Sequence, residues 1–191
     1  MKLVFATHNL HKLEEVKTLL HSTITLLSLD DINYKDEIEE NETTLEGNAL
    51  IKARTIFNSM QGNCFADDSG LLVDALNGEP GVYSARYAGN QKNDDDNMNK
   101  LLAQLKGVHN RKAHFKTVLA LILDEKEYLF EGVISGVIGH EKKGTQGFGY
   151  DPIFIPDGYS KTFAELTSSE KSTISHRSIA LKKLITFLQH K

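Results

Sequence analysis

Asp67 and Asp68 stand side by side in "FADDSGLLVDAL" (65–76), with apolar residues before them and Ser69-Gly70 after them. A carboxylate is costly to bury unless something compensates it, so two of them in an apolar setting need a purpose. A carboxylate at the end of a buried strand is well placed to hold Mg2+, an ion that prefers oxygen ligands and keeps several waters. A second ligand would come from "EIEEN" (37–41), with Glu39 or Glu40 as the candidates. One carboxylate would bind the metal while a neighbour accepted a proton from attacking water. The alternative is a turn in which Asp67 or Asp68 caps local backbone and Gly70 supplies an unusual φ.

Three other stretches carry residue types suited to a phosphorylated ligand. "ATHNLHK" (6–12) is a polar turn before a helix, where backbone N–H groups and the dipole favour an anion and Lys12 adds charge. Its plainer reading is a helix cap by Thr7 or Asn9. "GTQGFGYDP" (144–152) has three glycines and two aromatics before Asp151-Pro152. Such a loop can approach a ligand closely while Phe148 or Tyr150 stacks on a flat ring, or the aromatics can belong to the core. "SSEKSTISHRS" (168–178) places Lys171, His176 and Arg177 before a strongly apolar helix. Arginine grips phosphate or a base carbonyl through its fork of donors; the alternative is a solvated helix entry capped by Ser175. His8, His11, His21, His109, His114, His140 and His190 show no metal-ligand spacing, so zinc is not expected.

Together these stretches supply an anion-binding turn, acids for a metal, an aromatic loop for a ring and separate basic groups. Hydrolysis of a nucleoside triphosphate requires that combination. The elements that position them read as α/β. "KLVFA" (2–6) is a buried-strand candidate, followed by a helix on Leu10, Leu13, Val16 and Leu20 with Glu14, Glu15 and Lys17 outside. "TITLLSL" (23–29) reads as a second strand. A helix over 45–60 has Ala49, Ala53, Ile56 and Met60 on one face and Thr44, Asn48, Lys52 and Thr55 on a polar one. A strand at 63–67 leads into the aspartate motif. Residues 77–93 read as loop, 94–105 as a helix with a solvated acidic start, and 113–123 with 128–138 as a β-hairpin. Leu181, Leu184, Ile185 and Leu188 mark a C-terminal helix.

The bulk composition is consistent with that reading. The 191 residues suit one substantial core, and a net charge of −4 argues against coating a nucleic-acid polymer. There is no apolar run long enough for a membrane span, no secretory h-region, and a single cysteine, Cys64. A cytoplasmic location is expected, with Cys64 as buried packing.

"ATHNLHKLEEV", "EGNALIKA", "ADDSGLLVDAL", "PGVYSARYAG", "GFGYDPIF" and "AELTSSEKSTISHRSIAL" run in order from residue 6 to 181. In these stretches the chain resembles the inosine triphosphate pyrophosphatase family, the non-standard purine NTP (XTP/dITP) diphosphatases. His8 is a departure, since many members have glycine there. The resemblance implies a single domain over 1–191, with an elongated mixed β-sheet flanked by helices and two lobes around a central nucleotide-binding cleft. It also implies a homodimer. The implied reaction converts ITP, dITP and XTP to the monophosphate and pyrophosphate with Mg2+. By motif position Asp68 matches the general base and, with Glu40, the metal ligands. Thr7, His8, Asn9, Leu10, His11 and Lys12 match the substrate loop, and Lys52 and Ser69 the phosphate contacts. Phe148, Gly149, Tyr150 and Asp151 match the base-binding loop, with Lys171, His176 and Arg177 as the remaining substrate contacts. The rival readings are a phosphatase releasing orthophosphate and a nucleotide-binding protein without turnover.

Overall fold

The protein is described by a computed structural model covering residues 1–20 and 24–191. Strand β1 (Lys2–Phe5) runs into helix α1 (Leu10–Leu19). The side chain of Asn9 caps this helix by accepting from the Lys12 amide at 3.1 Å. Strand β2 (Thr25–Leu27) is shorter than the apolar run suggests, and position 23 of that run lies outside the described residues. Helix α2 (Leu45–Met60) has the predicted bounds; Thr44 caps its start and left-handed Gln61 its end.

Strand β3 (Cys64–Val73) rules out the alternative of a turn at the aspartates and runs on past the strand expected at 63–67. The strand passes straight through Asp67-Asp68-Ser69-Gly70, and Gly70 does not have a positive φ. What Gly70 provides is room: a Cβ there would sit 2.5 Å from the Gly81 carbonyl oxygen. Gly81 opens a 3-10 helix, Gly81–Arg86, inside the stretch expected to be loop. Helix α3 (Asp94–Gln104) follows, capped by Asn93. Strands β4 (Lys112–Leu123) and β5 (Lys126–Ile138) form the hairpin. Its two linking residues, Asp124 and Glu125, both have positive φ, as a two-residue turn requires. Strand β6 (Phe154–Pro156) and helix α4 (Ser168–Ile174) were not foreseen; helix α5 (His176–Gln189) closes the chain.

The six strands make one sheet in the order β2-β1-β3-β4-β5-β6. It is mixed: β1 pairs parallel with β2 and β3, and β5 antiparallel with β6. Two units can be distinguished, one of residues 1–68, 117–132 and 177–191 and the other of 69–116 and 133–176. Each has its own apolar core. The first packs Phe5 and Phe65, stacked at 4.5 Å, with Val16, Leu119, Leu121, Leu181 and Leu184. The second gathers Leu71, Leu101, Phe115, Tyr150, Phe154 and Phe163. Cys64 is buried and donates to the Ala53 carbonyl at 3.2 Å; burial pushes its thiol up to about 12, which suits a packing residue. No helix among the described residues is long and apolar enough to cross a membrane.

Gly70→Ala forces the added methyl into the Gly81 backbone. Overpacking of this kind costs about 1–3 kcal/mol, which should lower the melting temperature by roughly 2–10 °C. Thermal denaturation checks this, and an unchanged transition would contradict the close approach.

Candidate active site

In the first unit the question posed by the paired aspartates has a structural answer. Asp67, only 1% exposed, is held between two cations: Lys12 Nζ at 3.0 Å on Oδ1 and Arg177 Nε at 3.1 Å on Oδ2. Burial alone would raise its pKa, but Lys12, Arg177 and Lys52 reverse that and hold the carboxyl far below the usual range. Asp67 is therefore a permanent anion. Arg177, 2% exposed, is also paired through Nη1 with Glu15. Burial works against its charge, and Asp67 and Glu15 more than restore it.

Asp68 has the opposite environment. Its Oδ1 lies 3.4 Å from Lys52 Nζ, and its buried Oδ2 has no hydrogen-bond partner among the described residues. Burial lifts its pKa above the ordinary carboxylate value, and Lys52 and Lys12 do not cancel that rise. Lys52 also binds Glu40 at 2.8 Å. Burial opposes the Lys52 charge, but Asp68 and Glu40 outweigh it and its pKa ends raised. Burial dominates at Lys12, whose pKa is lowered despite Asp67. Two adjacent carboxylates are thus driven apart in basicity by their surroundings, as at sites of acid–base chemistry.

The donor set fits a divalent cation. Asp68 Oδ2 is an orphaned hard oxygen, and Glu40 is tied to the same ammonium as Asp68. No group of three or more His, Cys, Asp or Glu suited to a metal occurs among the described residues. A pair of carboxylates completed by substrate phosphate oxygens is the usual arrangement for Mg2+.

The turn before α1 is mostly exposed. Thr7 Oγ1 accepts from the Asn9 amide at 3.2 Å, and His8 Nε2 meets the Asp36 carbonyl at 3.0 Å. Leu10 and His11 lie on the surface. The capping role of Asn9 is therefore real, and Lys12 is the member of the turn that reaches the acids.

The second unit builds a separate construction around the glycine-rich loop. Asp151, buried, accepts from the Phe148 amide at 2.9 Å and from Lys171 Nζ at 2.7 Å on one oxygen, Oδ2. Gly147 allows this wrap: its φ is +76°, and a Cβ there would lie 1.9 Å from that same oxygen. Gly149 donates to Asp94 at 2.7 Å, so the acidic start of α3 pins the loop as well as meeting solvent. Tyr150 is core, its hydroxyl donating to the Ser84 carbonyl at 2.8 Å, and it offers no stacking face. Phe148 is the half-buried ring of the loop, with Lys171 Nζ 5.0 Å from its centroid. His176 is buried and stacked on Phe115 at 4.6 Å. The start of α5 is therefore not a solvated entry: Ser175, His176 and Arg177 are all buried. Ser69, in this unit, is half-buried next to Asp68 in sequence.

Glu15 and Asn48 escaped the sequence reading. Glu15 was placed on the outside of α1, yet it is half-buried and bound to Arg177; its spacing of three from Lys12 was the available signal. Asn48 and Lys52 belong to the polar face of α2, but both are buried.

With this geometry in hand, comparison with known proteins defines the class. A model of the Ham1 family matches residues 3–187, and the chain belongs to that family. A dITP/XTP pyrophosphatase of Flavobacterium johnsoniae is 55% identical over 188 residues, covering 98% of each chain. One from Bacillus subtilis is 47% identical over 190 residues, covering 97% of this chain and 96% of its own. The solved structure of a HAM1 protein from Coxiella burnetii superposes with a TM-score of 0.92 at 39% identity, covering 100% of both chains. The resemblance read from the motifs is borne out.

Because the folded pKa of Asp68 is raised, the folded state holds its proton more tightly than the unfolded state does. Stability from this group is fully present below the unfolded value of about 3.9 and is lost as pH rises through the folded pKa. Asp68→Asn removes that loss. Its melting temperature should exceed wild type at neutral pH, and the gain should vanish below about pH 4. A variant less stable than wild type at neutral pH would contradict the assignment.

Proposed function

We propose that this chain hydrolyses dITP, XTP and ITP to the nucleoside monophosphate and pyrophosphate, removing non-standard purines from the nucleotide pool. The observation that carries this reading is the Asp68 carboxylate, buried and raised in pKa beside Lys52 and the permanently ionised Asp67. The relatives named dITP/XTP pyrophosphatase support the substrate class.

The triphosphate is assigned to the first unit. Lys12 and Lys52 give up part of their pairing with Asp67, Asp68 and Glu40 to meet phosphate oxygens, and hold the charge that develops on leaving pyrophosphate. The turn from Thr7 to Asn9, with Leu10 and His11, lies against the phosphates, and Ser69 adds a contact. Asp68 orients the attacking water and takes its proton. Glu40 and Asp68 would hold Mg2+, which would supply positive charge to the phosphates.

The base is assigned to Phe148, Gly149, Tyr150 and Asp151 with Lys171, His176 and Arg177. Phe148 provides the ring face, while Tyr150, Asp151 and Lys171 fix the loop that carries it. A donor from His176 or Arg177 rewards a 6-keto oxygen and is left unpaired by adenine's amino group, the costly outcome in such a site. Within the first unit Arg177 is bound to Asp67 and Glu15. A homodimer in the cytoplasm completes the proposal; Val133 and Val137, exposed four residues apart on β5, support an associating face.

A panel of dITP, XTP, ITP, ATP and GTP with Mg2+, scored for pyrophosphate and orthophosphate, tests the reading. Pyrophosphate from the 6-keto non-standard purines, with ATP a poor substrate, is expected. Stepwise orthophosphate would establish the phosphatase alternative, and binding without turnover the non-catalytic one. In the same assay Asp68→Asn should lose about 10²–10⁴-fold in kcat, the span of general acid–base catalysis. Retained turnover would remove it as the base.

A further inference from the structure

We propose that Asn48 is a further substrate-contact residue, its carboxamide nitrogen donating to an oxygen of the bound triphosphate. The inference rests on the first unit's acid–lysine cluster being the triphosphate site. Asn48 lies on α2 four residues before Lys52, one helical turn, so the two share a face, and both are buried. Lys52 carries the cluster's contacts with Glu40 and Asp68. Asn48 is therefore placed beside the phosphate-binding lysine.

The orientation of its carboxamide is determined by chemistry. Oδ1 accepts from the Glu42 amide at 3.0 Å, and an amide N–H can only donate, so the oxygen must face Glu42. The nitrogen occupies the other side. It is fully buried and has no hydrogen-bond partner among the described residues. Buried polar groups are nearly always satisfied, so two N–H donors here await an acceptor.

An oxyanion suits the position better than another side chain would. The cluster already holds Glu15, Glu40, Asp67 and Asp68 against Lys12, Lys52 and Arg177. A neutral donor adds a hydrogen bond to an incoming phosphate without a further buried charge to compensate when the site is empty. The same side chain also braces the segment that carries Glu40, since Glu42 is two residues beyond it. Gly47 lets that segment pack closely, a Cβ there falling 2.8 Å from Glu42 Cβ. Asn48 thus links a metal-ligand candidate to a phosphate contact.

Inorganic tripolyphosphate, without metal, is the probe, because it presents phosphate oxygens without base or sugar. Asn48→Asp keeps the size of the side chain and the acceptor for Glu42 but replaces the donor. Calorimetry should show tripolyphosphate binding to Asn48→Asp weakened at least tenfold relative to wild type. In ¹⁵N-labelled wild type, the Asn48 side-chain amide pair should shift and exchange more slowly with water as the site saturates. Equal affinity of the two proteins overturns the inference. So does an unshifted amide pair at saturation, which means a buried water satisfies the nitrogen. If Asn48→Asp does not fold, the wild-type titration decides alone. Wild type that neither binds tripolyphosphate nor hydrolyses dITP would overturn the functional reading itself, whereas binding and turnover with an unshifted amide pair would overturn the inference alone.

Discussion

The structure of the first unit depends on the electrostatic problem of holding four carboxylates, two of them buried, with three cations around one strand. Asp67 and Asp68 on β3, Glu15 on α1 and Glu40 before α2 meet Lys12, Lys52 and Arg177. Removing one partner of a buried pair that is fully satisfied, such as Asp67 with Arg177, costs about 3–5 kcal/mol, whereas a well-packed apolar substitute for the whole pair is often neutral or better. Such a cluster is poor material for stability alone. Its elements are placed to serve it: a capped helix carries Lys12 and Glu15, a second helix carries Lys52, and the C-terminal helix returns Arg177 to the strand.

The cluster is divided into a settled part and an unsettled part. Asp67 is satisfied on both oxygens and fixes the positions of Lys12 and Arg177. Asp68 has one long contact and, among the described residues, no hydrogen-bond partner on its other oxygen, and its charge is resisted by its surroundings. The settled half holds Lys12 and Arg177 in place, and the unsettled half offers the carboxylate proposed above as base and metal ligand. The second unit solves a related problem differently. There Asp151 and Lys171 neutralise one another and shape the backbone of the loop, and Phe148 is its half-buried ring.

Much of this was legible in the sequence. Helical periodicity and capping types located α1 and α2 closely, and the alternation of strands and helices gave the mixed sheet. The residues of the candidate site stand in the sequence as motifs. Their pairing is not legible there, because Asp67 and Arg177 are separated by 110 positions and nothing local joins them. At the aspartate motif a turn stood as the alternative to a strand end; tertiary cations make an extended, buried conformation through both acids tolerable. Glu15 looked solvated for the same reason, its partner being 162 positions away. Short β6 and α4 lack the length for periodicity to register. The core role of Tyr150 depends on the Ser84 carbonyl, which no spacing rule connects to it.

The claim that the acid–lysine cluster on β3 receives a metal-bound purine triphosphate is tested most directly by a crystal structure with Mg2+ and a non-hydrolysable inosine triphosphate analogue. The account predicts a cation on Asp68 Oδ2 and Glu40 at about 2.0–2.1 Å, with Lys12 and Lys52 turned onto phosphate oxygens and Asp67 still bound to Arg177. A nucleotide bound elsewhere, with Lys52 still bridging Glu40 and Asp68, would contradict it.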